Sequence, residues 1–196
     1  MSELETRLRA FTTEAALPGL PAPDVAYALH DTPVGQLVLA VDPAGTVLAC
    51  SYDTEESVTA RLAARVSPRV LRLPASLEGV RRALDDYLAG TRRELDLPVS
   101  LTLAAPFARR VLAGLRHIPY GTTTNYGHLA RAIGSPRASR AVGGALGSNP
   151  VCLLLPCHRV IRSDRSPGGY AGGAHAKQLL LDLETGPGRT HQPDAR

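Results

Sequence analysis

Three apolar runs in the first part of the chain predict a small antiparallel sheet. They span residues 25–29, 35–41 and 46–50, and each is rich in Val, Leu and Ala. Asp42-Pro43-Ala44-Gly45 separates the last two runs and is typical of a tight turn. The pattern therefore predicts three strands that follow one another as a meander.

Helical spacing of apolar residues surrounds these strands. Helices are predicted over residues 3–16, 55–66 and 77–89, and a further strand over 70–73. In the second helix Val58, Leu62 and Val66 follow one another at four-residue intervals and are expected to face the core. Together these elements predict a small N-terminal α/β domain.

The second half of the chain is predicted to be mostly helical. Pro106 opens a helix as its first residue, and a short helix over 126–133 ends at Gly134. Ser135-Pro136 is expected to cap the next helix, whose inward residues are Ala138, Val142, Ala145 and Leu146. Two short helices joined by a glycine-containing turn predict a helix-turn-helix.

The outer face of that last helix carries Arg140 beside Gly143 and Gly144. Each glycine inside a helix costs about 1 kcal/mol relative to alanine, so two adjacent glycines need a compensating reason. Close approach to another backbone would supply it. The narrow minor groove of DNA is such a surface.

The length of the chain and the elements above predict two halves of different structure. The 196 residues suit one compact domain or two small ones. We expect a helix and proline-rich connector at 1–23, the α/β domain at 24–100, a winged-helix-like domain at 101–185 and a disordered tail at 186–196. The fold class is α/β, in the α+β sense.

Charge divides the halves in the same way. Residues 1–100 carry 10 Arg and 14 acidic residues, whereas residues 101–196 carry 12 basic and 4 acidic residues. The basic second half is therefore the part expected to meet a polyanion.

No apolar run approaches the roughly 20 residues that cross a bilayer, and the first residues do not resemble a signal peptide. A cytoplasmic protein without a membrane partner is expected. The three cysteines, Cys50, Cys152 and Cys157, form neither a disulfide framework nor a Cys-x-x-Cys pair, so no metal site is predicted.

One of these cysteines lies in a sequence suited to nucleophilic chemistry. An apolar, strand-like run stops at Pro156, and Cys157, His158 and Arg159 follow directly. Proline ends regular strand pairing, so Cys157 is expected at the start of an irregular turn. A neighbouring imidazole or cation lowers the pKa of a thiol and activates it. A buried structural cysteine is the alternative interpretation of the same residues.

The sequence Pro156-Cys157-His158-Arg159-Val160 resembles the acceptor motif of the O6-alkylguanine-DNA alkyltransferases, also called methylated-DNA–protein-cysteine methyltransferases. The resemblance continues through five further features between Pro106 and Glu184, which are the segment 140–145, Asn149-Pro150, Tyr170, Gly172-Gly173 and Glu184 itself. It implies a monomer that binds duplex DNA in the minor groove and flips out an alkylated guanine. The alkyl group then moves irreversibly from guanine O6 to a cysteine, without a cofactor. O4-methylthymine is a further possible substrate.

The resemblance also implies catalytic roles. Cys157 is the nucleophile and alkyl acceptor, and His158 accepts its proton through a water molecule. Glu184 orients the imidazole, as the third group of a catalytic triad does. Asn149 ties the recognition helix to the active-site turn.

Further residues are implied to bind DNA and the flipped base. Tyr126 donates its hydroxyl to the guanine ring, and Arg140 fills the gap that the flipped base leaves. The Val160 carbonyl receives the exocyclic amine, and Tyr170 and Ala171 cover the pocket. Gly143 and Gly144 lie on the helix that meets the groove.

Cys152 departs from the family pattern, since many relatives have proline at this position of the pocket wall. The substitution is expected to change the tolerance for bulky alkyl groups.

Three other functions fit parts of the sequence. An alkyltransferase-like protein that binds lesions without reacting would lack the acceptor, whereas Cys157 is present. A cysteine hydrolase would leave the helix-turn-helix unexplained. A transcription factor without chemistry would make the Pro156–Arg159 motif accidental.

Overall fold

A computed structural model describes residues 23–186 of the chain. The predicted helix at 3–16 lies outside the described residues, as do nearly all of the proline-rich connector and all but the first residue of the predicted tail at 186–196. Of the described helices, none is long and apolar enough to cross a membrane.

The first half folds around a four-stranded sheet. Its strands are β1 (Val25–Thr32), β2 (Gly35–Val41), β3 (Val47–Ser51) and β4 (Val70–Arg72), in the order β3-β2-β1-β4. The first three strands are antiparallel, as the meander predicts. The fourth strand pairs with β1 in the parallel direction, because helix α1 (Glu55–Arg65) carries the chain back across the sheet.

Both faces of the sheet are covered, so β2 reads as an unbroken apolar run. Leu37 and Leu39 face one core cluster, while Val38 and Ala40 face a second cluster that contains α1. Val58 and Leu62 of α1 are buried as predicted. Val66 is 38% exposed, contrary to prediction, because α1 ends at Arg65 and Val66 lies beyond the inward-facing turns.

Helix α2 (Glu78–Leu88) lies on the opposite face of the sheet from α1 and buries Val80, Leu84 and Tyr87. The chain turns just after the end of α2, at Gly90, whose positive φ of 75° favours glycine. The core on this side is shared with the second half of the chain, whose apolar residues join the same cluster.

The second half is mostly helical, as predicted. Its helices are α3 (Pro106–Gly114), α4 (Tyr126–Ala132), α5 (Ser139–Gly147) and α6 (Gly173–Thr185). Pro106 occupies the first turn of α3. The short strands β5 (Thr124–Asn125) and β6 (Val160–Ile161) pair in parallel beside them.

Helices α4 and α5 form the predicted helix-turn-helix. The Asn125 side chain caps α4 by accepting a hydrogen bond from His128 N. The predicted Ser135-Pro136 cap of α5 is wrong, because Ser135 N donates to Ala130 O and so belongs to the end of α4. Helix α5 starts at Ser139 without a side-chain cap.

The edge strand β3 joins the two halves through backbone hydrogen bonds. Cys50 N donates to Pro150 O, and Cys152 N donates to Cys50 O, each at 2.8 Å. Val47 similarly exchanges hydrogen bonds with Pro98 and Ser100. The segment that leads into Cys157 is therefore fixed by the sheet of the first half.

The core of the first half gives a direct test of this packing. We expect Leu62→Ala to lower the free energy of unfolding by about 2–5 kcal/mol, because it leaves a cavity between α1 and the sheet. Leu71→Ala is the matched control, since Leu71 is 51% exposed. Urea denaturation followed by circular dichroism measures both variants. Equal losses would contradict the assignment of the core.

Candidate active site

The turn that presents Cys157 is built from local hydrogen bonds. Leu154 N donates to Cys152 O and Cys157 N donates to Leu155 O, both at 2.8 Å. The strand predicted before Pro156 is wrong beyond Val151, because these residues bond to their own neighbours instead of to a partner strand. Cys157–Arg159 then forms one turn of 3-10 helix.

Asn149 holds this turn in place and also reaches the sulfur. Its Nδ2 donates to Leu155 O at 3.1 Å and to Cys157 Sγ at 3.3 Å, while its Oδ1 accepts from Val151 N at 3.1 Å. The side chain thus connects the end of α5 with the Cys157 turn.

His158 and Glu184 form a buried pair. His158 Nε2 lies 2.8 Å from Glu184 Oε1, and the imidazole is fully buried. Burial lowers the pKa of His158, and this outweighs the opposing effect of Glu184. The imidazole is therefore neutral, donates through Nε2 to the carboxylate, and has its lone pair on Nδ1.

The Nδ1 atom of His158 is buried and has no hydrogen-bond partner among the described residues. A buried imidazole nitrogen with a free lone pair is costly in a purely structural role. It is suited to accept a proton.

Glu184 is the most heavily bonded side chain of the site. Burial favours its neutral form, but hydrogen bonds and charge interactions with His158 and Arg159 lower its pKa to about 2. Arg159 donates from Nε at 2.9 Å and from Nη2 at 2.9 Å. The Tyr87 hydroxyl and Gly121 N complete the set of donors.

Arg159 does not act on Cys157 in the way its position in the sequence suggests. Its guanidinium points to Glu184 and donates to Ile118 O at 2.7 Å. The cation near the thiol is Lys177 of α6, which donates to Val160 O at 2.7 Å. Burial lowers the pKa of Lys177 to about 8.

The pKa of Cys157 is lower than that of an ordinary thiol. The hydrogen bond from Cys152 is the largest cause, and the Asn149 amide and the charge of Lys177 act in the same direction against the effect of burial. The surroundings of Cys157 thus favour a thiolate.

Cys157 lies at the wall of an open cavity of about 580 Å³. This volume is in the range of small-molecule sites. Most residues predicted to contact DNA or the base line the same cavity, namely Tyr126, Arg140, Gly143, Tyr170 and Ala171.

The other predicted residues surround this cavity without lining it. His158, Glu184 and Asn149 lie behind the Cys157 turn, and Gly144 lies on α5. The Val160 carbonyl already accepts from Lys177 and keeps its second lone pair.

A tyrosine from the first half packs against the loop that covers the cavity. The Tyr52 and Tyr170 rings meet edge to face at 5.5 Å, with their hydroxyls 3.5 Å apart. A Cβ at Gly172 would lie 2.6 Å from Tyr52 Cζ, so only glycine fits there without displacing the ring.

The sequence did not indicate the roles of Tyr52, Tyr87 and Lys177, and the first two belong to the half of the chain in which no catalytic motif was found. For Lys177 a signal existed. It lies seven residues before Glu184, so both fall on the face of α6 that also carries Leu180 and Leu181.

A basic helix-turn-helix beside a buried, activated cysteine defines a DNA alkyltransferase type of protein. The family model described as 6-O-methylguanine DNA methyltransferase, DNA binding domain, matches residues 106–186. A methylated-DNA–protein-cysteine methyltransferase of Mycolicibacterium paratuberculosis is 40% identical over 170 residues, which cover 86% of this chain and 95% of that relative. One from Salmonella typhimurium is 45% identical over 106 residues, 54% of this chain and 62% of that protein.

The crystal structure of Mycobacterium tuberculosis OGT in complex with DNA is similar as a whole. It is 35% identical, has a TM-score of 0.69, and the match covers 82% of this chain and 92% of that one. The chain belongs to the methylated-DNA–protein-cysteine methyltransferase family. This confirms the resemblance and the fold class that the sequence indicates.

The Glu184 network gives a test of the site. Glu184→Gln leaves the buried Arg159 without its counter-ion, so we expect a loss of about 3 kcal/mol or more in the free energy of unfolding. The wild-type carboxylate has a pKa of about 2, below its ordinary 4.5, so its stabilisation is present above pH 4.5 and lost as the pH falls towards 2. Chemical denaturation between pH 3 and pH 7 measures both effects.

The matched control is Glu78→Gln. Both side chains of its ion pair with Arg82 are exposed, so we expect no measurable loss in the free energy of unfolding. A Glu184→Gln protein as stable as this control at neutral pH would show that the buried network is not required for folding.

Proposed function

We propose that this protein repairs O6-alkylguanine in duplex DNA by moving the alkyl group onto its own Cys157. The observation that carries the proposal is the position of Cys157. Cys157 lines an open cavity and directly precedes His158, which forms a buried imidazole–carboxylate pair with Glu184. The thioether product is stable, so each molecule reacts once.

The chemistry follows from the two sides of the Cys157 turn. The Cys157 proton passes to His158 Nδ1 through a water molecule, and Glu184 stabilises the imidazolium that forms. The thiolate then attacks the alkyl carbon. A carbon–sulfur bond forms, the carbon–O6 bond breaks, and the guanine oxygen leaves with the electron pair of that bond. No cofactor takes part.

Cavity residues are suited to hold a flipped base. The Tyr126 hydroxyl would donate to a ring nitrogen of guanine, and burial raises its pKa so that the proton stays in place. The Val160 carbonyl would accept from the exocyclic amine. Tyr170 and Ala171 would cover the base, which must leave the stack before its O6 group can be reached. O4-methylthymine is a further substrate of this proposal.

Helix α5 is the element that we propose to lie in the minor groove. Arg140 is exposed at the mouth of the cavity and would occupy the space that the flipped base leaves. A Cβ at Gly144 would meet no described atom within 4 Å. Packing within the described chain therefore does not explain this glycine, whereas close approach of a DNA backbone does.

One chain holds the acceptor, the cavity and the arginine, so we infer that the protein acts as a monomer. Its proposed substrate is chromosomal DNA, and we infer a cytoplasmic location from that substrate.

Alkyl transfer is tested by intact mass. After incubation with a duplex that contains O6-methylguanine, we expect the protein to gain one methyl group on the peptide with Cys157, with no second turnover. Cys157→Ala should bind the duplex and gain nothing. Lesion binding without any mass gain in the wild-type protein would instead indicate an alkyltransferase-like protein.

The role of Arg140 is tested with two substrates. We expect Arg140→Ala to slow repair in duplex DNA about tenfold or more, because the gap left by the flipped base is no longer filled. Reaction with free O6-benzylguanine should change little, since no base needs to be flipped. Arg116→Ala removes the same charge away from the cavity and is the control. Equal losses of Arg140→Ala on both substrates would refute the assignment.

A further inference from the structure

Arg162 is a residue of the cavity wall that the proposed reaction does not use. It follows β6 directly and lines the cavity together with Cys157 and Tyr126. A tight turn holds its backbone at both ends, because Arg162 N donates to Ser166 O at 2.9 Å and Arg162 O accepts from Arg165 N at 3.0 Å. The Arg162 side chain is therefore carried to the cavity by a fixed piece of backbone.

The stem of this side chain lies beside the tyrosine that we propose to hold the base. Gly168 has a positive φ of 73°, and a Cβ there would lie 2.8 Å from the Tyr126 hydroxyl oxygen and 3.4 Å from Arg162 Cγ. The hydroxyl and the arginine stem thus flank the same glycine. The charge of Arg162 also acts on the site. Burial raises the pKa of Tyr126, and the charge of Arg162 opposes this effect.

The charge of Arg162 is not compensated within residues 23–186. Its side chain is exposed and makes no hydrogen bond or ion pair with any of these residues. The acidic residues between positions 101 and 186 all have other partners, namely Asp164, Asp182 and Glu184. An arginine that lines a cavity without a counter-ion is suited to bind an anionic group of a ligand.

A phosphate of the DNA backbone is the anion that fits this position. A nucleotide whose base enters the cavity brings its own phosphates to the cavity mouth, because one sugar joins the base to them. Tyr126 is proposed to contact that base, so the cation beside Tyr126 lies where one of these phosphates arrives. A guanidinium can bind a phosphate through two parallel N–H groups, which fixes position as well as adding affinity.

We propose that Arg162 binds a phosphate of the flipped nucleotide at the mouth of the cavity and so holds the base in place for transfer. This inference rests on the proposed flipping of an alkylguanine into this cavity. The task differs from that of Arg140, which is to occupy the gap left in the duplex. Arg162 adds affinity without reading the sequence, since phosphate contacts position a protein on DNA and base contacts specify the site.

The first test is the salt dependence of DNA binding. Affinity for a duplex that contains O6-methylguanine is measured by fluorescence anisotropy between about 50 and 200 mM salt, in a Cys157→Ala background so that no transfer takes place. We expect Arg162→Ala to weaken binding about tenfold at the lowest salt. The slope of log affinity against log salt should fall by about 1. Arg162→Lys keeps the charge and should keep the slope.

Arg116→Ala is the matched control, because it removes the same charge from the wall of a different cavity. Its slope should equal that of the Cys157→Ala parent. An unchanged slope in Arg162→Ala, or an equal fall in Arg116→Ala, would overturn the proposal. So would an equal loss of rate with free O6-benzylguanine and with duplex DNA when Arg162→Ala is made in the wild-type protein, because Arg162 would then act on the base.

The second test identifies the phosphate. Each of the two phosphates of the lesion nucleotide is replaced in turn by a neutral methylphosphonate linkage. We expect one of the two replacements to weaken binding of the Cys157→Ala parent about tenfold and to have little further effect when Arg162→Ala is added, since both changes remove the same contact. Fully additive losses at both linkages would overturn the assignment to the flipped nucleotide.

Both binding tests are independent of the alkyl-transfer reaction. A lowered salt slope and a lost response to the neutral linkage, together with no mass gain in the wild-type protein, would keep the phosphate contact of Arg162 and refute the proposed transfer alone.

Discussion

The structure depends on one buried carboxylate, that of Glu184, whose negative charge is compensated by hydrogen-bond donors and a counter-ion. Glu184 lies inside the protein, where an isolated charge would be too costly to keep. Its donors come from three separate parts of the chain, which are α2, the loop at Gly121 and the Cys157 turn, while the carboxylate itself belongs to α6. A single ionised group therefore fixes how these parts meet. It also fixes the tautomer of His158, and so leaves the Nδ1 lone pair free.

The sheet of the first half also supports the site, through contacts separate from the Glu184 network. Its edge strand β3 bonds to residues 150–152, and Tyr52 at the end of that strand packs on the loop around Gly172. The first half thus sets the position of the Cys157 turn and of the loop over the cavity. The walls of the cavity in the second half therefore depend on the N-terminal sheet for their position.

The Cys157 sulfur lies among groups that favour its charged form, and Cys157 still lines the cavity. Asn149, Cys152 and Lys177 each favour the charged form of Cys157, and burial opposes them. Such surroundings favour the thiolate and shelter it from most solvent. The proposed single-turnover chemistry suits this arrangement, because a thioether at Cys157 would carry no charge for these groups to stabilise.

Most of the elements and the family were determined by the sequence itself. Strand and helix periodicity predicted the meander, α1 and the helix-turn-helix, because each pattern reflects which local residues face a core. The motif around Cys157 indicated the family in the same way, since its residues are neighbours along the chain.

Side-chain direction was decided only by the tertiary structure. Arg159 follows Cys157 by two residues yet turns away to Glu184, whereas Lys177, twenty residues on, supplies the cation. Tyr87 and Cys50 come from the first half and still reach the site. A sequence records neighbours along the chain. Contacts between distant segments, and the way a buried charge finds its counter-ions, arise only when those segments pack together.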